Sequence, residues 1–290
     1  MQADPQLLKE YVETLSRDLV PRDAEHPSGL DRTASFIHEQ FEKKSDSVED
    51  QPFSTSHFPV RNVRVFFGPD TDERVVIGAH YDVAGPYPGA DDNASGVAGL
   101  LELARLLEDE DLPLKVELVS YPLEEPPYFY TRKMGSFVHA NSLKEQGIKV
   151  RAMIALEMIG YFKDEPGSQT YPLFLLRPFY PSRGNFIAVV GKLFQRKIVR
   201  TVRKAMRDAT PLPVESINAP RLLPGVALSD HLNYWWAGYQ AVMITDTAFY
   251  RNPNYHTALD TADTLDYKRM AQVVEGVRAA IATLSDEEKG

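Results

Sequence analysis

The chain has 290 residues, a formal net charge of −9 at pH 7 and no cysteine. Hydrophobic residues make up 43% and charged residues 25%, an ordinary globular composition that excludes a disordered, collagenous or coiled-coil chain. The lack of thiols excludes a disulfide scaffold, a thiolate zinc finger, an iron–sulfur site and a cysteine nucleophile. Because the charge balance is acidic, we expect neither nucleic acid nor an anionic membrane as a partner.

Helix-like and strand-like patterns alternate along the chain, and no long linker divides it. In chain order, the predicted elements are helices at Leu7–Leu19 and Leu30–Phe41, strands at Val63–Phe67 and Val75–Ala79, a helix at Ser95–Leu107, a strand at Lys115–Tyr121, a helix at Gly135–Gln146, a strand at Ala152–Leu156, a largely helical segment with a dense basic face at Phe186–Arg207, a strand at Ala241–Thr245 and a helix at Asp266–Leu284. The Pro-rich stretches Tyr121–Tyr128 and Thr210–Pro224 are expected to be ordered loops. This alternation predicts an α/β fold with a mostly parallel sheet, helices on both faces, and one domain over residues 1–290.

No apolar run approaches the ~20 residues that a membrane span needs. The first helix is polar and amphipathic and lacks the charged and apolar regions of a signal peptide. We therefore expect a cytoplasmic protein, or a secreted or periplasmic one if a signal peptide has been removed.

A histidine and an acid follow the strand predicted at Val75–Ala79. His80 and Asp82 are two positions apart, so they point to the same face of an extended chain. Asp82 can then accept a hydrogen bond from one imidazole nitrogen while the other faces a ligand, as carboxylates do for metal-bound histidines. The alternative is a capped strand end with a surface histidine.

Two further predicted strands run into carboxylates. Glu124 and Glu125 follow Lys115–Tyr121, and adjacent carboxylates repel each other unless a cation or a proton separates them. Glu157 ends the apolar strand Ala152–Leu156 and needs a partner, because burying an unpaired charge is expensive. A solvated acidic loop is the alternative for the glutamate pair.

Two loops add further candidates. Asp91, Asp92 and Asn93 precede the helix at Ser95–Leu107, where capping explains one acid but not both. His256 precedes the last helix, for which Asp263 or Thr264 could serve as caps, and has no evident structural role. Histidines and carboxylates at the carboxyl edge of a sheet, with no cysteine, favour a catalytic Zn²⁺ site, with Mn²⁺ or Co²⁺ possible.

Taken in order, these segments resemble the co-catalytic zinc aminopeptidases of peptidase family M28. The matching pattern spans about residues 75–266: His-x-Asp, Gly-x-Asp-Asp-Asn-x-Ser-Gly, Glu-Glu, an acid before Met-Ile-Gly, and Tyr-His-Thr-x-x-Asp-Thr-x-Asp. The resemblance implies a three-layer α/β/α sandwich of the zinc-exopeptidase type around a mixed, mostly parallel sheet.

The resemblance also implies roles for individual residues. The expected ligands of two zinc ions are His80 and Glu157 for the first, Glu125 and His256 for the second, and Asp92 as the bridge, with a cis peptide bond after it. Glu124 resembles the general base, and the phenol of Tyr255 would stabilise the oxyanion. The acids expected beside the ligands are Asp82, Asp230 and Asp260. Asp230 belongs to a Ser229-Asp230-His231 segment for which a helix cap is an equal alternative.

The implied activity is hydrolysis of the N-terminal peptide bond of peptides with a free N-terminus, by a water that two metals activate. Two departures from the family pattern stand out: Glu157 where many members have Asp, and Pro126-Pro127 in place of a Gly-rich segment. Aromatic residues at Tyr128–Tyr130, Tyr234–Trp236 and Phe249–Tyr250 could line an apolar specificity pocket or simply pack in the core.

Two other functions stay open. A glutaminyl-cyclase-like aminoacyltransferase would share the fold and use one zinc ion, so metal stoichiometry separates it from the peptidase. A non-catalytic binding module would show broken ligand positions, and none is broken in this sequence. The oligomeric state is left open.

Overall fold

Eight strands form one mixed sheet in the computed structural model, which describes residues 1–286. The last four residues of the domain predicted over 1–290 lie outside the described part of the chain. The strands are β1 (Val48–Ser54), β2 (Pro59–Phe67), β3 (Glu73–His80), β4 (Lys115–Tyr121), β5 (Lys149–Glu157), β6 (Ile187–Lys192), β7 (Val214–Ala219) and β8 (Ala241–Thr245). Their spatial order is β1-β2-β4-β3-β5-β8-β6-β7.

The middle of this sheet is parallel. β3 pairs in parallel with β4 and β5, and β8 pairs in parallel with β5. The β1–β2, β2–β4 and β6–β8 pairs are antiparallel, and β6 and β7 are parallel to each other. The carboxyl ends of β4, β3 and β5 therefore meet at one edge, where open α/β sheets bind ligands.

Helices cover both faces of the sheet. They are α1 (Pro5–Glu13), α2 (Pro27–Glu42), α3 (Gly96–Leu107), α4 (Gly135–Glu145), α5 (Arg196–Ala209), α6 (His231–Ala237) and α7 (Tyr267–Asp286). Successive β3 residues point to opposite faces: Ile77 packs in one apolar core with Leu100 of α3, and Val76 in a second core with Leu143 of α4. The predicted α/β architecture with helices on both faces is confirmed.

Most of the predicted elements lie where the sequence pattern places them, but Phe186–Arg207 is wrong in its first half. β6 occupies Ile187–Lys192, and α5 begins only at Arg196. β6 lies between two other strands and is buried over its first five residues. Such a strand gives an uninterrupted apolar run, which periodicity alone cannot separate from a buried helix.

Two further elements, β1 and β7, lack a prediction. α6 begins at His231, where the helix alternative for Ser229-Asp230-His231 places a helix start. β7 lies inside Thr210–Pro224, which was expected to be a loop. Pro213 and Pro220 flank it directly, and proline is compatible with the ends of an edge strand. Asp263 and Thr264 do not cap α7; instead, Asp266 accepts the Arg269 backbone N–H at 3.0 Å.

Among residues 1–286, no helix is both long enough and apolar enough to cross a lipid bilayer.

Candidate metal centre

Three of the predicted site residues come together at the carboxyl ends of β3, β4 and β5. His80 is the last residue of β3, Glu157 is the last residue of β5, and Glu124 follows β4 by three positions. All three side chains are buried. Nε2 of His80 lies 3.4 Å from Oε2 of Glu157 and 4.0 Å from Oε2 of Glu124.

Asp92 lies between the two histidines that the sequence singles out. Its Oδ1 is 3.4 Å from Nε2 of His80, and its Oδ2 is 3.1 Å from Nε2 of His256. Nε2 of His256 is also 3.2 Å from Oε1 of Glu125. Two groups of three donors thus share Asp92, and within each group the donor atoms lie within 4.8 Å of one another.

The donor atoms in this cluster fit divalent cations. Four of them are buried and have no hydrogen-bond partner: Nε2 of His80, Nε2 of His256, Oδ1 of Asp92 and Oε1 of Glu125. Buried polar atoms are otherwise nearly always hydrogen-bonded. Nitrogen and oxygen donors in groups of three match catalytic zinc sites, which keep a position open for water or substrate.

The electrostatics of the cluster also favour a bound cation. Burial, followed by the charge of Asp92, raises the pKa of Glu125 to about 8. Burial likewise raises the pKa of Glu157, and raises that of Glu124 well above its usual range. Burial opposes protonation of His80, yet Glu157 and Glu124 hold its pKa well above the ordinary value. Carboxylates this close ionise together only beside a cation.

The acids predicted beside the ligands hold the ligand loops through main-chain hydrogen bonds. The Asp82 carboxylate accepts the backbone N–H groups of Glu124 and Glu125, at 3.1 and 3.0 Å. It is the main-chain carbonyl of Asp82, at 3.2 Å, that lies nearest Nδ1 of His80; the carboxylate is 3.5 Å away. Asp82 thus orients the glutamate pair more directly than it orients the histidine.

Asp260 has the same arrangement on the other side of the cluster. Its carboxylate accepts the backbone N–H groups of Asp91 and Asp92 at 3.0 and 3.1 Å. The Asp92–Asn93 peptide bond is cis, as the resemblance predicts. Asn93 fixes this loop to the end of β5, because its Oδ1 accepts Met158 N–H and its Nδ2 donates to the Leu156 carbonyl.

The Ser229-Asp230-His231 segment contributes to the site, although neither of the first two side chains caps α6. Oγ of Ser229 donates to Oε2 of Glu157 at 2.7 Å. Asp230 is fully buried, and burial, opposed by the charge of His80, raises its pKa to about 7. Tyr255 stacks on His256 with ring centroids 3.7 Å apart.

Sequence reasoning misses Arg22, a residue that supports the site. Arg22 is 1% exposed and donates to the carbonyls of Leu15, Tyr81, Pro88 and Gly89 at 2.7–3.0 Å. It thereby joins the loop after β3 to the loop before Asp92, and no motif marks it.

Asp91, a candidate for which the resemblance implies no role, also supports the site. Its carboxylate accepts Gly160 N–H and Asn252 Nδ2–H. Here the tandem acids were a usable signal, because one cap explains only one of them.

A pocket of about 110 Å³ opens beside Glu157 and Tyr255. We call it the apolar pocket. Its floor includes Ala188 and Val190 of β6 and Met243 of β8, and its walls include Phe249 and Tyr250. Of the three aromatic segments, Phe249–Tyr250 thus lines the pocket. Tyr234 and Trp235 pack in the core, and Tyr130 is 48% exposed.

The sequence model of peptidase family M28 matches residues 62–281. The chain is a member of peptidase family M28. This M28 member is 48% identical over 283 residues to the uncharacterized protein YfbL of Escherichia coli (strain K12), covering 95% of this chain and 87% of that protein. It is 25% identical over 299 residues to a probable leucine aminopeptidase of Arthroderma otae, covering 94% of this chain and 73% of that protein.

Solved structures share the fold of this M28 member. The LapA aminopeptidase of Legionella pneumophila superposes with a TM-score of 0.79 at 21% identity, covering 99% of this chain and 73% of that chain. BSAP, a zinc aminopeptidase from Bacillus subtilis, gives 0.75 at 14% identity, covering 96% and 94%. The glutaminyl cyclase of Fimbriiglobus ruber gives 0.73 at 20% identity, covering 98% and 96%. The fold class predicted from the resemblance is therefore confirmed.

Proposed function

We propose that this M28 member is a zinc-dependent aminopeptidase, which removes the first residue of peptides with a free N-terminus, and that residues 1–290 form one catalytic domain. The observation that carries the proposal is the pair of donor groups that share Asp92, with four of their buried atoms lacking a hydrogen bond. Such a pair of sites is suited to two-metal hydrolysis of an amide.

The same geometry supports an assignment of ligands. His80, Asp92 and Glu157 would hold one ion, and Asp92, Glu125 and His256 the other. Glu157 is one methylene longer than aspartate, and its Oε2 is held by Ser229. When bound, the ions would lower the pKa of a water and polarise the scissile carbonyl.

Protein groups would perform the proton transfers. Glu124 is buried beside the cluster and forms a third donor group with His80 and Glu125, but it belongs to neither of the two groups that share Asp92. Assigning the ions to those two groups leaves the Glu124 carboxylate for proton transfer. We assign it as the base that takes a proton from the attacking water and returns it to the leaving amine. The phenol of Tyr255, which burial keeps neutral by raising its pKa, would donate a hydrogen bond to the oxyanion.

Substrate binding would use both parts of the site. The acidic cluster would attract the positively charged α-amino group of the substrate. The apolar pocket beside Glu157 would receive the side chain of the N-terminal residue.

Metal loading and a panel of aminoacyl-anilides test this function. We expect metal-free protein to be inactive, to bind two Zn²⁺ per chain, and to regain hydrolysis on loading, with Mn²⁺ and Co²⁺ as comparison ions. Activity that persists in fully stripped protein would disprove the metal mechanism.

A glutaminyl-cyclase-like transferase is the second candidate, because the Fimbriiglobus ruber glutaminyl cyclase matches nearly the whole of both chains. It predicts one zinc ion per chain and cyclisation of an N-terminal glutamine with release of ammonia. Mass spectrometry of a glutaminyl peptide separates the two candidates: cyclisation removes 17 Da (about the mass of ammonia), whereas the peptidase releases free glutamine.

A further inference from the structure

The outer face of α5 concentrates positive charge in an otherwise acidic protein. Residues 192–207 contain seven lysines and arginines and no aspartate or glutamate, although the whole chain carries a net charge of −9. We use the name basic stripe for the five exposed members of this set. The basic stripe consists of Arg196, Lys197, Arg200, Lys204 and Arg207.

These side chains share one side of the helix. At about 100° per residue they fall within an arc of roughly 100°, and they extend over about 16 Å along the helix axis. The opposite side is buried against the sheet and α7 through Ile198, Val202 and Met206. The basic stripe therefore faces away from the protein along most of α5.

Three arginines of the basic stripe lack a carboxylate partner among the described residues. Lys204 pairs with Asp208 at 2.6 Å. None of the ion pairs among residues 1–286 involves Arg196, Arg200 or Arg207. These three guanidinium groups are free to contact an external anion.

Large apolar side chains are exposed on the elements that adjoin α5. Phe194, two residues before α5, is 89% exposed, and Leu222, three residues after β7, is 87% exposed. Lys192, the last residue of β6, pairs with Ala219, the last residue of β7, so Phe194 and Leu222 follow neighbouring strand ends. The β7 end of the sheet thus combines cationic and apolar groups on its surface.

We propose that the basic stripe and these apolar side chains dock the protein on the surface of an anionic lipid bilayer. Each lysine or arginine near such a surface strengthens binding about fivefold. The apolar side chains would be buried among the lipid headgroups. A nucleic acid would complement the charge but leave Phe194 and Leu222 in water, so the apolar side chains favour lipid.

The net charge of −9, from which we expect no anionic membrane as a partner, does not exclude this docking, because salt screens electrostatic forces. At about 0.1 M salt the Debye length is about 10 Å, which is less than the length of the basic stripe. Acidic groups elsewhere on the protein therefore oppose the interaction only weakly. Docking would also leave the metal centre open, because β6 runs antiparallel to β8, which is itself parallel to β5. Phe194 and Leu222 follow the carboxyl ends of β6 and β7, and they therefore lie at the opposite edge of the sheet from Glu157.

Co-sedimentation of the full chain with vesicles tests the proposal. We expect at least tenfold stronger binding to phosphatidylcholine vesicles that contain about 30% phosphatidylglycerol than to pure phosphatidylcholine, with binding weakening between about 50 and 300 mM salt. The variant Arg196→Glu/Arg200→Glu/Arg207→Glu should lose at least about 100-fold in affinity. Phe194→Ser/Leu222→Ser should lose about tenfold while its salt dependence is retained.

A matched variant separates local from total charge. Arg32→Glu/Lys43→Glu/Lys144→Glu makes the same change in net charge at exposed positions on α2, at the end of α2 and on α4, respectively. This variant should bind like the wild type. Anilide hydrolysis should be equal in all four proteins. Equal binding by the two triple variants, or no preference for anionic vesicles, would overturn the proposal. So would binding of a short duplex DNA in place of vesicles.

Discussion

The metal centre and the apolar pocket lie side by side and share Glu157, but they are built in different ways. The metal centre uses histidines and carboxylates at strand ends and in loops, and specific hydrogen bonds such as that from Ser229 to Glu157 position some of them. The apolar pocket uses common residues such as Ala188 and Val190, which β6 brings to the site through its pairing with β8. The proposed chemistry would thus depend on a few histidines and carboxylates, whereas the proposed substrate choice would depend on the sheet topology that places common residues around the pocket.

The largest expected effect is a loss of turnover that leaves the preference between substrates unchanged. Glu124→Gln removes the proposed base but keeps its size, so turnover should fall by about 10²–10⁴. Because the apolar pocket is untouched, the ratio of kcat/KM between phenylalanyl- and alanyl-anilides should stay constant. Steady-state kinetics and metal analysis of the variant check this. Undiminished turnover would remove Glu124 from the mechanism.

The next effect concerns the residues that hold the ligand loops of the metal centre in place. Asp82→Asn replaces a carboxylate, whose two oxygens each accept a backbone N–H group, with an amide that has only one acceptor oxygen. Zinc affinity, measured by competition with a chromophoric chelator, should weaken by about 10–100-fold. The exposed acid Asp263 offers the control, since Asp263→Asn should bind zinc like the wild type. Equal zinc affinity in both variants would contradict the role of Asp82.

The converse experiment alters the apolar pocket alone. Ala188→Leu fills part of its floor, so kcat/KM for phenylalanyl-anilide should fall at least about tenfold relative to alanyl-anilide. Val189→Leu enlarges the opposite face of the same strand and should leave that ratio unchanged. Zinc stoichiometry should be the same in both variants. A uniform loss over all substrates would mean that Ala188 does not shape the pocket.

A different kind of effect concerns stability and its dependence on pH. Burial raises the pKa of Asp230 to about 7 and that of Asp246 to about 6. Both values exceed the unfolded value near 4, so the folded protein binds these protons more tightly. The resulting stability is present at low pH and is lost as the pH rises through 6 to 7.

Urea unfolding of the metal-free protein measures this loss. The free energy of unfolding should drop by roughly 4 kcal/mol between about pH 5 and 8. Asp230→Asn should flatten part of the decline, whereas Asp263→Asn should not. A free energy of unfolding that rises over this range would show that other groups dominate.

The difference between the two regions also explains what could be predicted from the sequence. All five expected ligands converge, because each belongs to a short motif at the end of an element with a clear pattern. The apolar pocket could not be placed, since β6 was interpreted as helix and β7 as loop. Strands without alternation give no local signal of their neighbours, and only the folded sheet shows which residues they align.

Arg22 escapes sequence reasoning for a related physical reason. An arginine that donates only to main-chain carbonyls has no partner side chain to reveal it. Asp82 and Asp260 were foreseen only because they lie within motifs, and nothing in the pattern indicated that each would accept two backbone N–H groups.

The position of Arg22 has a consequence for anyone who shortens this protein. The match to the family model begins at residue 62, forty residues after this arginine. A fragment trimmed to that match would retain every proposed ligand, yet it would lack the guanidinium that ties the segment carrying Tyr81 to the one carrying Gly89. The folded unit is therefore larger than the stretch that the family model matches, because Arg22 holds two loops of the site together from outside it.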